Sequence, residues 1–214
     1  MTERVVVVGA SGFGRESLDV LEAMQSIGAD IEIAGVIDDA PSKTNLQRLR
    51  ERGVDYLGTT NDWLSQRVPG EVFVLGIGSP RVRRMLVEKL ELGGAEPFTA
   101  IHPTVSLGSQ SVIGKGAVIC SGAVVSTNVK LGRHVHVNPN VTIGHDSELD
   151  DFVSVNPAAV ISGDVHLATG VLVGAAATVL QQLTVAEDAL IGAGALVTRS
   201  VPPSVVVKGV PGRW

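Results

Sequence analysis

The sequence predicts an α/β N-terminal domain of half-Rossmann type, residues 1–98, followed by a left-handed parallel β-helix, residues 99–214. Three observations predict it. Aliphatic side chains recur every six residues without a break from Ile101 to Val197. The composition holds 25 glycines and only 3% aromatics, so the core is built from small β-branched side chains that favour strands. The first forty residues read as strand, glycine-rich turn, helix and strand.

The six-residue period decides the second half. Steps from Ile101 through Leu107, Ile113 and Ile119 to Val197 land on Ile, Leu or Val every time. A second series two positions earlier, including Ala117, Ala123, Val135, Val153 and Ala177, is small or β-branched. Gly often follows the aliphatic position, as at Gly108, Gly114, Gly132 and Gly144. A short strand, a sharp corner and another short strand explain the pattern, with Gly expected to ease the corner backbone. Three six-residue sides close a triangular coil, and coils stack at about 4.8 Å with their backbone groups paired in parallel. Each coil buries its aliphatic side chains only because its neighbours cover it.

Upstream, Arg4 to Val8 reads as a buried strand that runs into Gly9-Ala10-Ser11-Gly12-Phe13-Gly14 and then a helix carrying Leu18, Val20, Leu21 and Met24. A second strand, Ile31 to Ile37, ends at Asp38-Asp39, and a third, Val72 to Ile77, leads into Gly78-Ser79-Pro80 and a helix from Arg81 to Leu92. Glycines allow close backbone approach, and the helix start offers unpaired N–H groups at the positive end of its dipole. Gly9, Ser11, Gly12, Gly14 and Gly78 are therefore candidate nucleotide-binding positions. Asp38 and Asp39 lie about 24 residues past the turn, near where a ribose-binding carboxylate is expected. A tight turn without a ligand is the structural alternative. A dehydrogenase is disfavoured, because a dinucleotide domain needs two such halves and only three or four strands fit before residue 100.

Net charge is −5 with no Lys/Arg cluster, which argues against nucleic acid or an anionic membrane as partner. No apolar stretch reaches the length needed to span a bilayer, and no signal-peptide layout opens the chain. Cys120 is the one cysteine, in keeping with a reducing, cytoplasmic location. It reads as a small buried filler.

Of the five histidines, His145 sits at a Gly corner with an acid beside it, in Gly144-His145-Asp146. His102 reads as structural. His134 and His136 flank the inward Val135 and are expected to point outward. His166 is expected to pair with Glu148 one coil below. Asn138 and Asn156, eighteen residues apart, suggest a stacked amide ladder. Arg199, Lys208 and Arg213 are the basic residues near the chain end.

The chain resembles the hexapeptide-repeat nucleotide-sugar acetyltransferases of the NeuD/PglD-like family, whose members often carry the label sialic acid O-acetyltransferase. The resemblance rests on Val6-Val7-Val8-Gly9-Ala10-Ser11-Gly12-Phe13-Gly14-Arg15-Glu16, Gly35-Val36-Ile37-Asp38-Asp39, Gly76-Ile77-Gly78-Ser79, the Gly144-His145-Asp146 corner and the closing Gly209-Val210-Pro211. It implies a homotrimer that takes acetyl-CoA as co-substrate and a nucleotide-linked amino sugar as acceptor, without a metal. It also implies a catalytic corner of His145 as general base, Asp146 and Asn138. Gly163 matches a position lining the acyl-donor slot, and Lys208 and Arg213 are candidates for the phosphates of coenzyme A. The family commonly carries a second His facing the thioester, and here that position is Ser154. His136, one coil earlier on the same side, is the candidate to compensate. O-acetylation of a sugar hydroxyl and a non-catalytic trimeric scaffold are the alternatives. Zinc-dependent β-helix enzymes of the wider superfamily use His pairs five residues apart, a spacing absent here.

Overall fold

The structure is a computed structural model and describes residues 2–214. The chain divides into two compact units, with the boundary between Pro103 and Thr104.

The first unit holds a four-stranded parallel sheet. Its strands are β1 (Glu3–Val8), β2 (Ile31–Ile37), β3 (Val72–Leu75) and β4 (Glu96–Pro97), in spatial order β2-β1-β3-β4. Val5, Val6, Val7, Phe73, Val74 and Leu75 are fully buried, as expected of parallel strands covered on both faces. Helix α1 (Gly12–Ser26) packs on β1, β2 and β3. It does so through Gly14, Ser17, Leu18 and Leu21, which share one face at helical spacing. Burying Leu18 and Leu21 completely contributes about 1.5–3 kcal/mol each.

Two helices escape the sequence reading: α2 (Lys43–Arg52) and α3 (Thr60–Gln66). α2 is polar almost all round and buries only Leu49, so periodicity gives no signal. α3 announces itself by its start: Thr59 and Asp62 form a reciprocal capping box. α4 (Pro80–Leu92) begins with Ser79 as cap and Pro80 in its first turn.

The second unit is a parallel β-solenoid of about six turns, the architecture of a left-handed β-helix. Its two-residue strands form three faces. Thr142–Ile143 pairs with Val160–Ile161, Glu148–Leu149 with His166–Leu167, and His136–Val137 with Ser154–Val155, all parallel. The inner positions Val135, Val137, Val141, Ile143, Val153 and Val155 are fully buried, as the period predicts. Outer positions such as Val112, Val124, Leu190 and Val206 remain exposed.

The corner geometry departs from expectation. From Leu107 to Ile191, left-handed backbone falls three residues after each aliphatic position, not at the glycine that follows it. Asn128, His134, Asn140, Asp146, Phe152, Ala158 and Asp164 all have φ between 55° and 62°. The glycines after the aliphatic position have another cause. A Cβ on Gly108 or Gly114 would lie 2.4 Å from the backbone of the next coil, and one on Gly144 would lie 2.5 Å from it. They permit close stacking of coils rather than a bend.

Candidate active site

His145 and Asp146 leave the solenoid at the corner after Thr142–Ile143. The His145 Nδ1 lies 2.7 Å from Asp146 Oδ2. The other carboxylate oxygen of Asp146 accepts from the Asn128 amide at 2.9 Å. Asn128 occupies the same corner one coil earlier, and both residues are left-handed, at φ 58° and 60°. Asn and Asp tolerate that backbone better than other side chains do. The Asn128 hydrogen bond, and then that from His145, hold the Asp146 carboxyl below the usual carboxylate range. An ionised Asp146 only accepts, so the bonded His145 Nδ1 must be the protonated ring nitrogen. The Nε2 lone pair is then available to take a proton.

A groove of about 630 Å³ opens on this ring, lined by His145, Asp146, Ser162, Gly163, Asp164, Gln181 and Gln182. Gly163 lines this groove directly against the ring. A Cβ there would lie 2.6 Å from both Cε1 and Nε2 of His145. The imidazole fills the space that its missing side chain leaves.

Three other expected site residues sit elsewhere. Asn138 is buried and donates to Val155 O at 2.9 Å and to Asn156 Oδ1 at 3.4 Å, so it forms the amide ladder and makes no hydrogen bond to His145. Ser154 is 1% exposed and does not line the His145 groove. His136, in register with it, is equally buried, and His134 is enclosed and stacked on Phe152 with ring centroids 5.4 Å apart. Both were expected to point outward, and both are buried. His166 lies in register with Glu148, yet its Nε2 bonds to Asp150 at 3.1 Å.

At the chain end, Lys208 and Arg213 are exposed and their backbones pair in an antiparallel bridge, while Arg199 stacks over Trp214 at 4.4 Å.

The N-terminal unit carries a second cavity, of about 220 Å³, lined by Val8, Gly9, Asp38, Asp39, Ala40, Thr60, Ile77, Val82 and Leu86. It lies at the carboxyl end of β1, where the chain crosses from one side of the sheet order to the other, the usual place for ligands in open α/β sheets. The glycines here divide into two kinds. A Cβ on Gly14 would fall 1.8 Å from Gly9 O, and one on Gly9 2.9 Å from Gly76 O, so these residues serve packing. Gly12 and Gly78 face open space. Ser11 caps α1 without a side-chain hydrogen bond. Asp38 accepts from the backbone N–H groups of Ala10 and Ala40, which fixes the glycine turn. Asp39 accepts from Thr60 N–H at 2.6 Å and faces Lys89 at 3.8 Å. Partial burial pushes the Asp39 carboxyl up, but the Thr60 bonds and Lys89 outweigh it and the net shift is downward. Arg83 is fully buried and donates to Ile77 O and Gly78 O, which clamps the turn after β3. Among the described residues no group of three or more His, Cys, Asp or Glu is placed to hold a metal ion, and no helix is long and apolar enough to cross a membrane.

Asn128, Ser162, Asp164, Gln181, Gln182, Thr60 and Arg83 are among the site residues that sequence reasoning missed. The eighteen-residue spacing of Asn128, Asp146 and Asp164 was the available signal for the first of them.

An α/β unit with a cavity at its topological switch point, joined in one chain to a β-solenoid with a His–Asp corner, defines a two-unit hexapeptide-repeat protein. The chain is similar to proteins of the NeuD/PglD-like group. Residues 4–90 match the PglD N-terminal domain. The chain is 31% identical over 149 residues to the GDP-perosamine N-acetyltransferase of Escherichia coli O157:H7, a match covering 69% of this chain and 64% of that protein. The aligned stretch thus spans less than two thirds of that relative. A mutant of the perosamine N-acetyltransferase of Caulobacter crescentus, solved with CoA and GDP-perosamine, superposes with a TM-score of 0.87 at 25% identity, covering 100% of this chain and 97% of that one. The acetyltransferase domain of PglB from Neisseria gonorrhoeae FA1090, solved with acetyl coenzyme A, gives 0.85 at 26% identity, covering 100% and 99%.

Proposed function

We propose that the protein transfers an acetyl group from acetyl-CoA to the amino group of a nucleotide-linked amino sugar. The observation that carries this reading is the His145–Asp146 pair, with Nδ1 bonded to a carboxylate and Nε2 on the groove. The amine nitrogen attacks the thioester carbonyl carbon as its proton passes to His145 Nε2. The C–N bond forms, the C–S bond breaks, and the departing thiolate takes up the proton from the imidazolium. General-base assistance of this kind is worth about 10²–10⁴ in rate. Transfer is direct, because no nucleophile–base pair is evident for an acyl-enzyme.

The nucleotide is assigned to the cavity beside Gly12, Gly78, Asp38 and Asp39, where open glycines and an α1 start without a side-chain cap favour phosphate oxygens. Lys208 and Arg213 are assigned to the phosphates of coenzyme A. The exposed aliphatic positions on the solenoid exterior support assembly as a homotrimer, which would cover them. The location is assigned as cytoplasmic, in keeping with the single cysteine.

The test is consumption of acetyl-CoA with GDP-perosamine and with UDP-linked amino sugars, each beside its deaminated hydroxyl analogue. Transfer to the amine that is lost in His145→Ala supports the proposal. Transfer to the hydroxyl analogue alone replaces the amine with an O-acetylation reading. Wild-type rates in a folded His145→Ala remove the general base.

A further inference from the structure

We infer that Asn128 is a positioning residue for His145, acting through Asp146 from the neighbouring coil. The inference rests on the reading of His145 as the base. Asp146 has two oxygens and each has one partner: Oδ2 takes the imidazole at 2.7 Å and Oδ1 takes the Asn128 amide at 2.9 Å. The carboxylate plane is thereby fixed at both ends. With one end free it could rotate about the Cβ–Cγ bond and present either oxygen, or neither, to the ring.

The solenoid supplies the geometry. Asn128 and Asp146 are one coil apart at the same left-handed corner, so their side chains leave the stack side by side. Asp146 N–H donates to Thr127 O at 3.1 Å, which ties the two corners together next to the side-chain bond. The orientation of the amide follows from charge: its NH₂ must face the carboxylate, because its carbonyl would repel it. The following coil presents Ser162, Gly163 and Asp164 to the same groove, and the next presents Gln181 and Gln182. Asp146 and Asp164 are therefore the titratable neighbours of His145 in the groove.

The chain of bonds has one chemical consequence. A fixed carboxylate on Nδ1 keeps the neutral ring in the tautomer whose Nε2 carries the lone pair. Without Asn128 the ring would exchange between tautomers, and the fraction competent to accept a proton would fall.

The measurement is ¹⁵N-resolved imidazole NMR of the wild-type chain, Asn128→Gly and Asn128→Asp, with the His145 ring signals assigned by their loss in His145→Asn. Both Asn128 variants suit a positive φ, so the corner persists, and thermal unfolding checks it. The wild type is expected to show a single neutral tautomer protonated at Nδ1. Asn128→Gly is expected to show both tautomers. Asn128→Asp replaces the amide donor with a second acceptor beside Asp146 and is expected to show both tautomers as well. Acetyl transfer to GDP-perosamine is expected to fall roughly tenfold or more in both variants, with KM for acetyl-CoA unchanged. A wild-type ring spectrum in both variants overturns the role of Asn128, even if His145→Asn is inactive. Full activity in His145→Asn overturns the general-base reading itself, whatever the spectra show.

Discussion

Gly163 lies under the imidazole of His145, and the absence of its side chain decides where that ring rests. Its φ is not in the left-handed region, so alanine there meets no backbone penalty, only the ring at 2.6 Å. Gly163→Ala is expected to leave the unfolding temperature within a few degrees of wild type while lowering acetyl transfer tenfold or more, roughly the loss that follows a misplacement of about 1 Å. Calorimetry and initial rates on one preparation check both halves. Asp146→Asn removes the acceptor that fixes the Nδ1–H tautomer, and a large drop in kcat is expected with little change in binding of acetyl-CoA. The residue scale is also where the sequence was least legible. His145 and Asp146 could be read as a pair because they are neighbours in the chain. Asn128 could not, because its contact exists only once coils are stacked. His134 and His136 were read as outward from strand alternation. Alternation gives the direction of a side chain from its own coil and carries no information about burial, and both residues are enclosed.

Elements were legible where they bury a periodic face and obscure where they do not. The 31–37 strand and the helix that ends at Leu92 match expectation closely, because buried aliphatics mark them. α2 is polar and exposes most of its surface, so only its Ser42 cap identifies it. The corner glycines were located correctly and explained wrongly. A six-residue period reveals that something recurs at a corner, but not whether the constraint is a torsion angle or a neighbouring coil. Two predictions belong at this scale. Ala158 and Ala176 hold φ of 59° and 53°, a conformation that costs an L-residue about 1–2 kcal/mol. Replacing either by Gly is expected to stabilise the solenoid by about 0.5–1 kcal/mol, read from the urea midpoint, since Gly also loses more chain entropy on folding. For Asp39 the sign follows from linkage. Its folded pKa is depressed, so its contribution to stability is present above the ordinary carboxylate range and is lost as pH falls through the lower folded value. The difference in unfolding midpoint between wild type and Asp39→Asn is therefore expected at pH 7, to shrink once pH falls below the ordinary value of 3.8, and to vanish only below the depressed folded value.

At the scale of the whole molecule, each turn of the solenoid touches mainly the turn before and the turn after. Stability is then a sum of nearest-neighbour terms, and a defect in the middle uncouples both sides. Ile143 is fully buried at mid-stack. Ile143→Ala is expected to cost about 2–5 kcal/mol and to broaden the denaturation transition of the solenoid as its two halves begin to melt separately. The left-handed corners have a different consequence. Neither the inner aliphatic column nor the ladder of backbone hydrogen bonds depends on which short polar residue occupies a corner: Asn128, Asp146, Asp164 and Gln182 share one column with nearly the same φ. That column behaves as a row of sockets on a rigid rack. Its side chains can be exchanged one rung at a time, altering the charge and reach of the groove in single steps, and the rack that holds them need not be rebuilt.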